Sequence, residues 1–250
     1  MLELREVSKS FPGVKALNNV SIKFNPSEIH ALLGENGAGK STLINIISGV
    51  YKPDKGGKVL FNDLPYEVNS THEALEKGIH TVYQNLQIVP QASVAENIML
   101  DKLPTRGRTG FIDWKKMNQV AQENLDIVGL KIRPSTPLGR LSIAQRQLVE
   151  IAKALASDIK ILLLDEPTSS LTKDEAQHLF KIMGRLRENG VLIIFVSHVL
   201  EEVLQVAERI SILRDGHCVV TEERENLDRK AIVRHMIGRE EDTDPMAFLI

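Results

Sequence analysis

Along this chain the apolar positions keep two different periods. "LELREV" and "VSIKF" near the start alternate apolar and polar, the period of a half-buried strand. "KVLFND" and "IHTVYQN" predict further strands, and "EIHALL", "IKILLL" and "GVLIIFVS" are nearly apolar throughout, as strands buried on both faces must be. Helical periodicity marks "STHEALEKG", "TKDEAQHLFKIMGRLREN" and "HVLEEVLQVA". The first two carry Ser70–Glu73 and Thr172–Glu175 at capping-box spacing. "RISILRDGHCVV" predicts a hairpin around Asp215-Gly216, and "NLDRKAIVRHMIG" a last helix. From about residue 88 to 158 the strand pattern lapses. "SVAENIML", "DWKKMNQVAQENLDIVGL" and "SIAQRQLVEIAKALAS" are all helical, the last opening on Ser142 and Gln145 in capping-box spacing. The expectation is an α/β core whose two halves are separated by a helical insert.

Two of the strand ends carry chemistry. "GENGAGKST", Gly34 to Thr42, follows an apolar strand and opens a helix, the setting of a phosphate-binding loop. Gly34, Gly37 and Gly39, with the small Ala38 and with Asn36, let backbone N–H groups converge on an anion at a helix N-terminus. Lys40 is placed to reach the β- and γ-phosphates, and the Ser41 hydroxyl, beside Thr42, to bind Mg²⁺. "ILLLDEP" is the natural second half: Asp165 can hold Mg²⁺ directly or through water, and Glu166 can orient or deprotonate an attacking water. His198 follows the strand "IIFVS", and its place at a core strand's C-terminal end favours a γ-phosphate contact over a structural role. Gln84 leaves "HTVY" in the same way; its amide could bind Mg²⁺ or water, and spacing alone does not decide between that and a merely structural or exposed residue. Phe11 opens an early loop and either stacks on adenine or sits in the core, the spacing favouring the core. The free end of the helix at Ser142 is a second anion site, a role compatible with the cap.

Composition narrows the field. Basic residues number 31 and acidic residues 33, a net charge of -2, which argues against a nucleic-acid-binding domain. One cysteine, Cys218, cannot form an internal disulfide and is expected to fill a strand position. No apolar run approaches the about 18 residues needed to span a bilayer, and "MLELREVSKSF" is not a signal peptide. The expectation is a chain of the cytosol that can dock on something in a membrane.

Taken together, "GENGAGKST", "VYQN", "RLSIAQRQ", "LLLDEPTSSL" and "FVSH" occur in the order and approximate spacing of an ABC-type ATPase. The chain resembles that family over nearly its whole length. The stretches resemble its Walker A, Q-loop, signature, Walker B with D-loop, and switch histidine. The resemblance implies a P-loop NTPase fold of ABC ATPase type: a mixed sheet core, an antiparallel β subdomain and an inserted α-helical subdomain. It implies a single ATPase domain over 1–240, with 88–158 as the insert and 241–250 as a linker or truncated tail. It implies ATP and Mg²⁺ as ligands, Phe11 as the A-loop aromatic, Gln84 as the Q-loop glutamine and His198 as the switch histidine. Glu166, His198 and Lys40 would carry hydrolysis. Ser142, Ile143, Ala144 and Gln145 would face the ATP site of a neighbouring ATPase domain.

"VSKSFPGVKALNNVS", "QIVPQASVAENIML" and "MIGRE" look like the first ATPase domain of bacterial monosaccharide importers, in which one chain usually carries two such domains. That likeness implies a second ATPase domain, transmembrane permease subunits and, indirectly, a sugar-binding protein as partners, no nucleic acid, and a place on the cytoplasmic face of the membrane. Two departures stand out. Ile143 and Ala144 replace both glycines of the common signature, and Thr172 replaces the D-loop aspartate. Soluble ATPases acting on ribosomes or DNA, P-loop kinases and non-hydrolysing ATP-binding modules are the rival classes.

Overall fold

A computed structural model describes residues 1–106 and 110–238; the tail at 241–250 lies outside them. Ten strands and eight α-helices are present among the described residues, in the order β1 Leu2–Phe11, β2 Val14–Phe24, β3 Ile29–Leu33, α1 Lys40–Ile47, β4 Lys58–Phe61, β5 Leu64–Pro65, α2 Thr71–Glu76, β6 Ile79–Val82, α3 Val94–Ile98, α4 Trp114–Ile127, α5 Ile143–Leu155, β7 Ile161–Asp165, α6 Lys173–Glu188, β8 Leu192–Val196, α7 Leu200–Val206, β9 Arg209–Arg214, β10 His217–Glu223 and α8 Arg229–Ile237.

The strands form two sheets. One is antiparallel, ordered β2-β1-β4-β5; the other runs β10-β9-β3-β8-β7-β6. In the larger sheet β9, β3, β8, β7 and β6 are mutually parallel and β10 turns back against β9. The larger sheet is therefore mixed, with one antiparallel edge strand.

The continuous apolar runs have a direct cause. Every residue of β3 and of β8 is buried. Successive side chains of these strands enter different cores. Leu32, Leu163, Ile194 and Val196 pack with Leu43, Ile44 and Ile47 of α1 and with Leu2, Leu4 and Phe24 of the antiparallel sheet. Ala31, Leu33, Leu162, Leu164, Ile193 and Phe195 face the other way, onto Leu179, Ile182 and Met183 of α6 and onto the helices between β6 and β7. In α4, Met117, Ala121 and Leu125 form the buried stripe.

Local chemistry differs from the sequence expectation in two places. Ser70 caps α2, but Glu73 does not close the box: its Oε2 accepts from the Asn69 N–H and side-chain amide instead. Phe11 is neither a loop residue nor a core residue. It is the last residue of β1, paired with Val14 across the turn at Pro12-Gly13. Half-buried there, it meets the Tyr51 ring edge-on with centroids 5.2 Å apart, and Lys9 Nζ lies 5.5 Å from its own centroid. A hairpin satisfies the strand backbone right up to the turn, and a ring at its tip has core on one side only.

Candidate active site

Because β3, β6, β7 and β8 are parallel and in register, with Leu32 beside Val196, Asp165 beside Val196 and Val82 beside Leu164, their C-terminal ends share one edge of the sheet. The segments leaving them carry Gly34–Lys40, Gln84, Asp165-Glu166 and His198. This is where an open α/β sheet offers a ligand crevice.

The loop from Gly34 to Gly39 turns back into α1. Gly39 is the N-cap of α1 at φ 104, and a Cβ there would lie 2.5 Å from the Ala16 carbonyl oxygen. No side chain fits, so backbone alone lines that turn. Lys40 Nζ donates to the carbonyls of Gly34 (2.8 Å) and Glu35 (2.9 Å). Burial holds its ammonium below the usual lysine range, opposed by Glu166, Asp165 and Glu35. The ammonium is thus caged in the loop next to two carboxylates.

Burial pushes the Asp165 carboxyl up, the neighbouring Glu166 adds to it, and Lys40 and a hydrogen bond from the Ser41 hydroxyl oppose it. Asp165 and Ser41 together form a pair of hard oxygen donors of the kind Mg²⁺ takes. The crowding of two acids at one strand end is relieved by a cation, so these residues fit the ion.

Glu166 is the centre of the arrangement. It stands at φ 48, a left-handed conformation that costs a non-glycine residue on the order of 1 kcal/mol or more. Its N–H donates to the Val196 carbonyl, 3.0 Å away, which holds the bend against β8. Gln84 Nε2 donates to Glu166 Oε2 at 3.4 Å, and His198 Nδ1 lies 3.4 Å from Glu166 Oε1. Residues from three strands thus meet on one carboxylate. The Glu166 side chain is 20% exposed and that of His198 56%, so the pair opens outward.

Ser142 and Gln145 form a complete capping box at the start of α5: Gln145 N–H donates to Ser142 Oγ at 3.2 Å, and Ser142 N–H to Gln145 Oε1 at 3.1 Å. Of the residues in the two glycine positions, Ile143 is 55% exposed, whereas Ala144 is buried and lines a cavity whose far wall includes His178 and Leu179 of α6. Only Ile143 presents its side chain outside. α5 reaches the site indirectly, since Gln147 Nε2 donates to the carbonyl of Pro167, next to Glu166. Sequence reasoning passed over Gln147, Thr168, Ser197 and Glu202. Their polar partners lie on other elements, and no local spacing marks them.

A glycine-rich loop into α1, a lysine within it, and paired acids on a neighbouring parallel strand define a P-loop nucleoside-triphosphatase site on an α/β sheet. The chain belongs to the ABC transporter family, whose model matches residues 17–169. It is 46% identical, over 96% of its length, to the ribose import ATP-binding protein of Rubrobacter xylanophilus, of which it covers 47%. It is equally 46% identical over 96% of its length to the galactose/methyl galactoside import ATP-binding protein of Salmonella typhimurium, again covering 47%. The chain therefore spans about half the length of the curated relatives it matches. Among solved structures it resembles an ATP-binding cassette of an ABC transporter in its ADP conformation, with TM-score 0.81 and 27% identity, covering 96% of this chain and 99% of that one. It also resembles a dimeric bacterial ABC transporter cassette, with TM-score 0.77 and 28% identity, covering 90% of this chain and 99% of that one.

Proposed function

We propose that this chain is an ATP-binding and ATP-hydrolysing unit that powers import of a monosaccharide through an ABC transporter. The observation that carries the hydrolytic part is the meeting of Gln84 and His198 on Glu166, beside Lys40 and Asp165. The import names of the relatives support the sugar.

In this reading the backbone from Gly34 to Thr42 wraps the phosphates, and Lys40 exchanges its carbonyl partners for the β- and γ-phosphate oxygens. Phe11, half-buried at its hairpin tip, is the face offered to adenine. Ser41 and Asp165 would hold Mg²⁺, with Gln84 nearby. The ion supplies charge neutralisation of the phosphates when bound. Glu166 takes a proton from the attacking water, Gln84 and His198 hold its carboxylate in place, and His198 and Lys40 stabilise the charge that develops on the γ-phosphate.

A second ATPase domain would close over this site, a reading supported by the dimeric cassette among the structural relatives. The free end of α5 would face that domain's nucleotide. The helices between β6 and β7 would meet permease subunits. Leu100, Leu103, Phe111 and Trp114 of that segment are exposed, and Phe111 is 76% so. Among the described residues no helix is long and apolar enough to cross a membrane. In this reading the chain sits on the cytoplasmic face of the membrane as a peripheral subunit, with a sugar-binding protein as a distant partner.

The test is Glu166→Gln in the complete assembly. ATP binding stays within about threefold of wild type while turnover falls on the order of a hundredfold or more. Undiminished turnover sinks the general-base assignment.

A further inference from the structure

Glu166 and His198 come from different strands, and each lies in a segment that needs outside support. Thr168 lies two residues beyond Glu166, and Ser197 directly precedes His198. Both hydroxyls donate to a single oxygen: Glu202 Oε2 accepts from Thr168 Oγ1 at 2.6 Å and from Ser197 Oγ at 3.2 Å. Thr168 and Ser197 are buried, and the bonds are partly shielded from water. Hydrogen bonds to an ionised acceptor are about twice as strong as neutral ones, and shielding preserves that strength.

We propose that Glu202 is a positioning residue for the hydrolytic pair: its carboxylate ties the loop after Glu166 to the segment before His198 and so sets their 3.4 Å approach. This rests on the reading of Glu166 and His198 as hydrolytic groups.

The plain alternative is a helix cap, since Glu202 lies in the first turn of α7. A capping glutamate reaches back to the N-cap backbone N–H. Here the N-cap is Val199, and its N–H is already bonded to Ser197 Oγ at 3.0 Å. Glu202 instead bridges two segments through side-chain hydroxyls. The Glu166 loop is held from its other side by Gln147 of α5. The loop is thus clamped between α5 and α7, and loss of one clamp frees the Glu166 carboxylate to move without disturbing Lys40 or the phosphate loop.

The test compares Glu202→Ala with Glu202→Gln in the complete assembly, reading kcat, KM for ATP, affinity for a fluorescent ATP analogue and the unfolding temperature. Glu202→Ala is expected to lower kcat about tenfold or more with KM and nucleotide affinity within about threefold. Glu202→Gln keeps one oxygen able to accept both hydroxyls, and restores kcat to within about threefold of wild type. Thr168→Val and Ser197→Ala each lower kcat, and together lower it no further than Glu202→Ala, because the three act as one unit. They decide the matter if Glu202→Ala does not fold. The proposal is overturned if kcat in Glu202→Ala is unchanged, or if kcat and unfolding temperature fall together and Glu202→Gln rescues neither. Glu166→Gln, run alongside, separates the two levels. If it retains turnover, the hydrolytic reading itself fails; if it is inactive while Glu202→Ala turns over normally, only the positioning role fails.

Discussion

Single residues in the phosphate loop differ in what they tolerate. Gly39 and Gly37 both have left-handed backbone, yet a Cβ on Gly39 strikes the Ala16 carbonyl, while a Cβ on Gly37 would meet no atom of a non-neighbouring described residue within 4 Å. Gly39→Ala is expected to destabilise the chain by about 2 kcal/mol or more and to abolish nucleotide binding, whereas Gly37→Ala costs about 1 kcal/mol. Denaturant unfolding and titration with a fluorescent ATP analogue check both. Equal costs at the two positions would show that crowding by Ala16 is not what requires Gly39. Cys218 lies half-buried in β10, bonded to Thr221 and the Val220 carbonyl, and burial pushes its thiol up. It is a packing residue with little thiolate character.

At the scale of one helix, α5 carries two separable loads. Its N-terminus is closed by Ser142 and Gln145, so Ser142→Ala should lower stability by about 1 kcal/mol, seen as a shift of the urea midpoint at unchanged m-value. Its middle buries Glu150, whose carboxyl burial pushes up to about 7, with Lys153 opposing and Asp101 adding. Facing the same group of charges on β6, His80 is pulled by burial down to about 4, and its Nε2 has no hydrogen-bond partner among the described residues. The signs are opposite. A raised carboxyl favours folding only while protonated, so stability falls as pH rises from about 4.5 to about 7. A depressed histidine resists protonation, so stability falls as pH drops from about 6.5 to about 4. Glu150→Gln removes the first slope. It should raise the unfolding temperature at pH 8, by up to roughly 2–3 kcal/mol of stability, with the gain fading towards pH 4.5. A gain that is equal at both pH values would place the effect elsewhere than on the carboxyl's charge.

At the scale of the whole molecule, the site is open on the side where Glu166 and His198 face solvent, and Ile143 stands exposed at the end of α5. The isolated domain is expected to be monomeric by light scattering, with weak ATPase activity, because a homodimer would have to close each site with Ile143 where the common signature has glycine. Strong, cooperative hydrolysis by this chain alone contradicts that. Phe111→Ala combined with Trp114→Ala removes the two exposed aromatic side chains of the helical segment. In the assembly this should lower transport at least about tenfold while ATP affinity stays within about threefold, the signature of a lost docking contact. Parallel losses of binding and transport would point to a folding defect instead.

Much of this was legible along the chain, and the reason is local. Phosphate loops, capping boxes and strand ends are made by residues adjacent in sequence, so "GENGAGKST", Ser142–Gln145 and "ILLLDEP" carry their geometry in their spacing. Parallel strands buried on both faces announce themselves as apolar runs. Once they are parallel, their C-terminal ends must share an edge, and that brought Gln84, Glu166 and His198 into one list. What the chain order left open was decided by contacts between distant elements. Phe11 lies at a hairpin tip rather than in a loop because β1 and β2 pair up to the turn. Ala144 is inward and Ile143 outward because one side of α5 is turned towards the core and a cavity shared with α6, and the other towards solvent. Glu202 joins Thr168 and Ser197 across 34 and 5 positions of sequence, a bond that no period or motif encodes. Sequence alone determined which chemistry this protein carries, since that chemistry sits within single turns; only the tertiary structure decided how its parts are held together, since that depends on side chains whose partners fold in from elsewhere.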